Sequence, residues 1–522
     1  MSSSDTTKKR KVEGSNVEER GEGTTSTAAE ERTTLSAILA EMKDMKCKLS
    51  RMDELESKSA LMQNEINSMK ERVSHIDELE RKNKLLETEC SLLKRSVKLL
   101  IKESNWEYSA PTIPRGHWED STHYDEDVID GIEYLLCKID DITCALRSCD
   151  DYDYDIQLDG YGIEDENNGP TVPHDNLLLP HWRELANAMQ IFPDDLYEFR
   201  INGIQLSSSV LKLLEPALNL KGKINYTLAL TNNEFTNVRE GIEFAVKVIK
   251  ANHNLQEFRW MHNQITNMED AKYLTRAIIN HPSIDNVCLD NCFGGDINGY
   301  DILCTLLASG KAFVNIGFES NNIKTNGGTA ISDYIARNPP PMDLNLSKNK
   351  LNDNDALLIA NALKQNTNLS EISLDDNEFT DIGKEILYKA MYDPASLNTL
   401  AGCNHTCRIY GDTSGGRTGL DDFNTHRDEA KTARTQKIYY LLSNRNKEGS
   451  NVQHLNEEFD EDEDSLKLAP KVLERLSRLE RPSHRSLHHR FVQPLSIMYE
   501  VIRSWKTPEL FEAVSGHSHR AN

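Results

Sequence analysis

Leu369-Ser-Glu-Ile372-Ser-Leu374-Asp-Asp-Asn377-Glu-Phe379 reads as L-x-x-L-x-L-x-x-N-x-L, and the same phrase returns upstream at a fixed interval. Asn349, Asn321, Cys292, Asn263 and Asn233 hold the Asn position in earlier copies, with Ile204 and His405 holding it in weaker copies at the two ends. From residue 204 to residue 405 the steps are 29, 30, 29, 29, 28, 28 and 28 residues. So regular a period marks a solenoid. The L-x-L half alternates, which predicts a short strand with one apolar side. Phe258/Trp260, Val287/Leu289, Ile316/Phe318, Leu344/Leu346 and Ile372/Leu374 are the inward pairs. The Asn then falls where the chain turns out of the strand. Its amide carries donors and an acceptor, so it can satisfy backbone groups stranded by the bend. The second half has helical spacing, as in Ile359, Ala362, Leu363 and in Ile242, Ala245, Ile249.

On these residues the region resembles leucine-rich repeats of the ribonuclease-inhibitor type, and Asp355 to Phe379 matches that repeat nearly throughout. The resemblance covers about eight repeats. It implies an α/β horseshoe whose strands line a concave face. It says little about activity, because function lives in sites grafted on folds.

Upstream, Thr33 to about Glu103 contains no Pro or Gly. Its apolar stripe is Ile38, Met42, Met45, Leu49, Met52, Leu55, then Met62, Ile66, Met69, Val73, Ile76, Leu79, then Leu86, Cys90, Leu93, Val97, Leu100. Steps of 3 and 4 make this a coiled-coil seam, with Ser59 and Asn83 as polar seam positions. Met52-Asp-Glu-Leu55 recurs as Ile76-Asp-Glu-Leu79, and each contributes an extra 3-residue step that overwinds the supercoil. A rod of this length spans on the order of 100 Å.

The expected organisation follows. Residues 1–32 are a disordered tail, 33–104 the coiled coil and 105–176 a linker holding one helix and an acidic loop. The repeat solenoid occupies 177–410, with Pro180–Met189 as a half-repeat cover at its start. A Gly-rich loop (411–430), a helical C-terminal block (431–515) and a short tail (516–522) complete the chain.

The 522 residues carry a formal charge of −24, which disfavours bulk nucleic-acid binding. There is no apolar run of membrane-spanning length and no secretory pattern, so the ten cysteines read as reduced thiols of a nuclear or cytoplasmic protein. Lys8-Lys9-Arg10-Lys11 resembles a basic nuclear-import signal.

Several chemistries are approached and missed. Asp155 to Glu166 nearly fits a calcium loop, but Gln157 breaks the third ligand position and the stretch reads as a solvated acidic loop. Gly411-Asp-Thr-Ser414-Gly-Gly416 has the wrong spacing for a protease nucleophile. Cys403, His405 and Cys407, like Cys288 and Cys292, lack further partners for zinc. The expectation is a protein without cofactor or metal and without enzymatic activity.

What remains is the concave face. Asp290, Glu319, Asp343, Asp375 and Asp376, with Glu198, Glu257, Asp285 and Glu371, should line it, opposed by Arg200, Arg259 and Lys348 with His262 nearby. Such a face asks for a basic protein partner. The predicted function is a protein-binding scaffold, homodimeric through the coiled coil and without nucleic-acid or membrane partners. The alternative is an enzyme regulator. The repeat type and an acidic run (Glu457–Asp464) resemble the Ran GTPase-activating protein, and an acidic face resembles ribonuclease inhibitor.

Overall fold

The structure is a computed structural model that describes residues 27–104, 106–120, 124–149, 155–160, 171–220, 222–294, 297–340, 342–410, 424, 430–458 and 492–504. The basic tract at Lys8–Lys11, the Gly411–Gly416 loop, the 161–166 part of the calcium-like stretch, the Val472–Leu479 stripe and everything from Trp505 onward lie outside the described residues. The chain divides into two units, Met1–Leu93 and Lys94–Asn522.

The first unit is built on α1 (Thr27–Glu103), a helix of 77 residues. Acidic residues four positions ahead of lysines support it, as in Asp44–Lys48 at 2.7 Å, Glu54–Lys58 at 2.8 Å and Glu78–Lys82 at 2.7 Å. The predicted seam is exposed along its length, with Met42 60 % and Leu93 66 % accessible.

The second unit begins with the last turns of α1, where Ile101 is buried and Lys98 pairs with Asp194 at 2.5 Å. Next come α2 (Gly116–Glu119), which buries Trp118, and α3 (Glu126–Ser148). Asp125 caps α3 by accepting from the Val128 amide. Ile129, Ile132, Leu135, Ile139 and Leu146 form its buried face.

From here strand and helix alternate: β1 (Asp155–Asp159), α4 (Leu179–Ile191), β2 (Leu196–Asn202), β3 (Gln205–Leu206), α5 (Ser208–Leu218), β4 (Ile224–Thr231), β5 (Glu234–Phe235), α6 (Val238–Ala251), β6 (Glu257–Met261) and α7 (Met268–Asn280). The series continues through β7 (Asn286–Cys288), α8 (Gly299–Ala308), β8 (Asn315–Gly317), α9 (Ala330–Ala336), β9 (Asp343–Asn345), α10 (Asp353–Leu363), β10 (Glu371–Ser373), α11 (Asp381–Met391), α12 (Leu397–Ala401) and β11 (Arg408–Tyr410). Among the described residues, nine strands form one parallel sheet in the order β1-β2-β4-β6-β7-β8-β9-β10-β11, while β3 and β5 pair separately. The sheet does not close into a barrel. Each helix from α4 to α11 packs on the next, so helices and strands stack in chain order over one continuous core.

Side-chain caps fix where six of these helices start. Ser207, Asn237, Asn267, Asn298, Asn352 and Thr380 accept backbone N–H groups at the N-termini of α5, α6, α7, α8, α10 and α11. Asn352 and Asp355 form a reciprocal capping box.

Two boundaries differ from the sequence reading. Asp155–Asp159 is a strand of the sheet, with Ile156 and Leu158 buried and Asp155↔Glu198 through Asp159↔Asn202 in register. The segment expected as a linker with an acidic loop therefore contributes the first strand, because two alternate apolar residues suffice to seat it among acids. α4 then belongs to a whole strand–helix unit rather than a half-repeat cover, and α3 packs against it.

At the other end, α12 is inserted before the last strand. Ile372 pairs with Ile409, a step of 37 residues (409 − 372) rather than 28. His405 therefore does not hold the Asn position. It follows Asn404, whose side chain joins helix α10 to the chain entering β11.

Three C-terminal helices complete the described residues: α13 (Ala430–Glu448), α14 (Asn451–Glu458) and α15 (Pro494–Ser504). Leu441 packs with Tyr392, Leu400 and Cys403. Glu458, in the acidic run Glu457–Asp464, has a side chain only 8 % exposed. It pairs with Arg445 at 2.9 Å and accepts from the Leu397 amide at 2.8 Å, which ties α14 to α12.

Candidate functional site

The face is positioned by the Asn column that the sequence singled out. Asn233 Oδ1 accepts from Ile204 N at 3.1 Å, Asn263 Oδ1 from Asn233 N at 2.7 Å, Asn321 Oδ1 from Cys292 N at 2.8 Å and Asn349 Oδ1 from Asn321 N at 3.0 Å. Each Nδ2 donates back to a carbonyl of the preceding repeat: Ile201, Leu230, Leu289 and Phe318 at 2.8, 2.8, 2.6 and 2.9 Å. Cys292 substitutes through its thiol, which donates to Trp260 O. Buried backbone groups of one repeat are thereby satisfied by the next.

A second column, not read from the sequence, closes the helix-to-strand turns. Asn252 Oδ1 accepts from Ile224 N at 2.7 Å, His281 Nδ1 from Ile284 N at 3.1 Å and Asn366 Oδ1 from Leu369 N at 2.7 Å. His281 Nε2 bonds Asn252 O at 2.9 Å, which requires the neutral ring protonated on Nε2, and burial lowers its pKa.

The residue before each Asn-column position takes a left-handed backbone. Gly203, Asn232, His262, Asn291, Ser320, Lys348 and Asp376 all have positive φ, from 51° to 67°. The turn that releases the strand demands it, and glycine meets the demand only once. As a result His262, Lys348 and Asp376 occupy the same place in their repeats.

The strands supply two further rows on the sheet face opposite the helices. The first runs Asp155, Glu198, Thr227, Glu257, Asn286, Asn315, Asp343, Glu371, Arg408. Beside it runs Gln157, Arg200, Ala229, Arg259, Cys288, Gly317, Asn345, Ser373, Tyr410. The cations are tied to carboxylates within the face: Arg200 to Glu198 at 2.9 Å, Arg259 to Glu257 at 2.8 Å, Lys348 to Glu319 at 2.8 Å and Arg408 to Glu371 at 3.0 Å. Arg408 was missed in the sequence because the last repeat was read out of register.

Of the residues expected here, Arg200, Arg259, His262, Glu319, Asp343, Asp375 and Asp376 lie on this face or its edge. Asp343 and Asp376 are exposed and Asp375 is half-buried. Glu319 is pulled two ways. Burial pushes its pKa up, but bonds from Lys348 and from Asn345 Nδ2 at 3.1 Å outweigh that and leave it below the ordinary value. Burial lowers the His262 pKa, against the pull of Glu319, and Asn291 Nδ2 lies 3.0 Å from its Nδ1.

Asp290 departs from expectation. It was read as solvent-facing, yet it is only 8 % exposed. Its carboxylate folds over Gly317, where a Cβ would lie 3.0 Å from Oδ1 and 3.2 Å from Cys288 Sγ. Oδ1 accepts from Glu319 N at 2.8 Å. Burial pushes its pKa up to about 6, the Glu319 amide opposes, the Glu319 carboxylate adds to the rise and Arg259 opposes. Burial and Asp290 together push the Cys288 thiol up to about 12, so it is no thiolate at neutral pH.

Among the described residues no group of three or more His, Cys, Asp or Glu side chains is arranged to hold a metal ion. Cys403 donates to Lys389 O and Thr399 O, and Cys407 to Arg408 O. Among the described helices none is long and apolar enough to cross a membrane. On the helical side, a cleft of about 480 Å³ between α6 and α7 is bordered by Lys250, His253, Tyr273 and Arg276, so cations gather away from the acidic face.

The chain matches no protein-family model and no curated protein.

Proposed function

We propose that this chain is a non-enzymatic scaffold: a leucine-rich-repeat solenoid of the ribonuclease-inhibitor type, oligomerised by its long helix, that binds a basic protein on the open face of its sheet. The repeat reading is supported by the 28–30-residue period and by the Asn column that links successive turns. The binding reading rests on one observation. Arg200, Arg259, Lys348 and Arg408 are each held by a carboxylate of the face, while Asp343, Asp375 and Asp376 add to its acidity. A surface of one net sign steers and selects a partner of the other. Its carboxylates are spread over successive strands, which suits an extended protein surface better than a small substrate. The exposed seam of α1 supports the oligomer, and an import signal at Lys8–Lys11 would place the scaffold in the nucleus as well as the cytoplasm.

The test uses the full chain as bait, with captured proteins identified by mass spectrometry. Asp343, Asp375 and Asp376 are then changed together to Asn. The fold should hold, since surface changes usually cost under about 0.5 kcal/mol each. Affinity for the captured partner should fall, and so should its dependence on salt. A partner that binds the triple variant unchanged removes the face from the reading.

A further inference from the structure

The exposed seam of α1 has a definite complement. We infer that it docks on a second copy of the same helix, parallel and in register; this rests on the oligomeric scaffold reading and goes beyond it by fixing strand direction.

The seam assigns heptad positions. Met42, Leu49, Ser59, Ile66, Val73, Asn83, Cys90 and Val97 are a positions, each three residues ahead of a d position. From Ile66 onward the a series is rich in β-branched residues, and Leu79, Leu86, Leu93 and Leu100 stand at d, the combination that favours two parallel strands. Asn83 at a would face its own copy in register, where two amides can bond each other. Reversed, it would face apolar seam with no partner.

Charge decides the direction independently. In a parallel pair, each g residue meets the e residue five positions later on the other chain. Those pairs are Glu41–Lys46, Lys48–Asp53, Glu65–Lys70, Arg72–Asp77, Lys82–Glu87 and Glu89–Lys94, all of opposite sign. The remaining pairs are Lys58–Gln63, which holds one charge, and Ser96–Ile101, which holds none. In an antiparallel pair of full overlap, g meets g and e meets e. The g partners become Glu41–Glu89, Lys48–Lys82, Lys58–Arg72 and Glu65–Glu65, all of like sign, and they outnumber the two opposite-sign e partners, Lys46–Glu80 and Glu56–Lys70. The extra 3-residue steps at Met52–Leu55 and Ile76–Leu79 coincide in either arrangement, so they do not discriminate, whereas the charges do.

Cys90 and Cys47, both exposed, provide the readout. Cys90 sits at a and Cys47 at f, on the outer surface. Helix axes about 10 Å apart, with Cα atoms about 2.3 Å off each axis, put facing seam Cα atoms roughly 5–6 Å apart. That lies inside the disulfide range of about 4.4–6.8 Å. Diamide accepts two electrons and two protons as the two thiols join.

The full-length chain is first sized by sedimentation equilibrium in reductant, then treated with diamide and run on a non-reducing gel. A dimer under reductant, linked at twice the chain mass by diamide, unlinked in Cys90→Ser and still linked in Cys47→Ser, is the expected result. Glu65→Lys should weaken that dimer, and adding Lys70→Glu should restore it. A dimer that diamide does not join through Cys90, or that Glu65→Lys leaves equally tight, overturns the parallel register while sparing the oligomer. A monomer under reductant overturns both.

Discussion

Asp290→Asn should stabilise the protein in a pH-dependent way. Asn keeps an oxygen for the Glu319 amide, so the 2.8 Å hydrogen bond can persist while the charge is lost. The carboxyl titrates near 6 in the folded chain against an ordinary value of 3.8. Between those values the folded state binds more protons than the unfolded state, so wild-type stability falls as pH rises through the window. At about 1.4 kcal/mol per pKa unit, the full cost of ionising Asp290 is about 3 kcal/mol at neutral pH and above. Roughly half has developed by pH 5, leaving about 1.4 kcal/mol to appear between pH 5 and pH 8. The variant escapes this cost. Its new amide N–H₂ needs an acceptor, and failure to find one would cost about 1–3 kcal/mol, equally at both pH values. The diagnostic is therefore the change in ΔΔG with pH. Urea unfolding can be followed by the fluorescence of buried Trp260 and Trp182. A ΔΔG that is the same at pH 5 and pH 8 would refute the argument, because it would mean that Asp290 ionises as a solvated surface acid does.

Two further perturbations probe what holds the face in place. Asn321→Ala removes the acceptor for the Cys292 and Phe293 amides and the donor to Leu289 O at a fully buried position. A loss above about 3 kcal/mol is expected in urea unfolding. Asn321→Cys should lose less, since a thiol can still donate as Cys292 does; equal losses would deny the thiol that role. Glu458→Gln leaves Arg445 buried without its counter-charge, expected to cost about 3–5 kcal/mol. Hydrogen exchange should then quicken in α12 and α14 while the sheet stays protected, and unchanged exchange there would show that the pair does not anchor α14.

The parts of the fold that were legible are those whose chemistry repeats. The Asn column was readable because one side chain must satisfy the same stranded backbone groups at every turn. The helix α1 was readable because its apolar residues recur at 3- and 4-residue steps from Ile38 to Leu100 with no Pro or Gly between them. Single events broke the reading. The α12 insertion adds nine residues once (37 − 28), and a periodic template slid past it onto His405, which hid Arg408. β1 was concealed by its own outward acids, since Asp155, Gln157 and Asp159 look like a loop unless Ile156 and Leu158 are weighed against them. The left-handed turn is written plainly at Gly203 and hinted at by Asn232, His262, Asn291 and Asp376, but disguised at Ser320 and Lys348, residue types that seldom signal positive φ. Asp290 was misplaced because alternation gives the side of the sheet a residue faces and not whether its neighbour is a glycine it can lie across.

On the proposed reading, the pairing within the face also constrains how a partner binds. Neighbouring strands lie about 4.8 Å apart, so Glu198 and Glu257, two strands from each other, stand roughly 10 Å apart, as do other residues so spaced in the first row. A basic partner must reach these acids past Arg200 and Arg259, which already hold them. Exchanging one surface ion pair for another gains little. The gain has to come from the local balance of charge around β9 and β10, where Glu319, Asp343, Glu371, Asp375 and Asp376 outnumber Lys348 and Arg408. The pairs at Arg200 and Arg259 then serve to orient the carboxylates and to repel a partner whose cations arrive in the wrong register. Selectivity along the sheet follows from that division: an acidic pole near β9 and β10 that attracts, and a charge-paired stretch over β2 to β6 that accepts only a partner matching it.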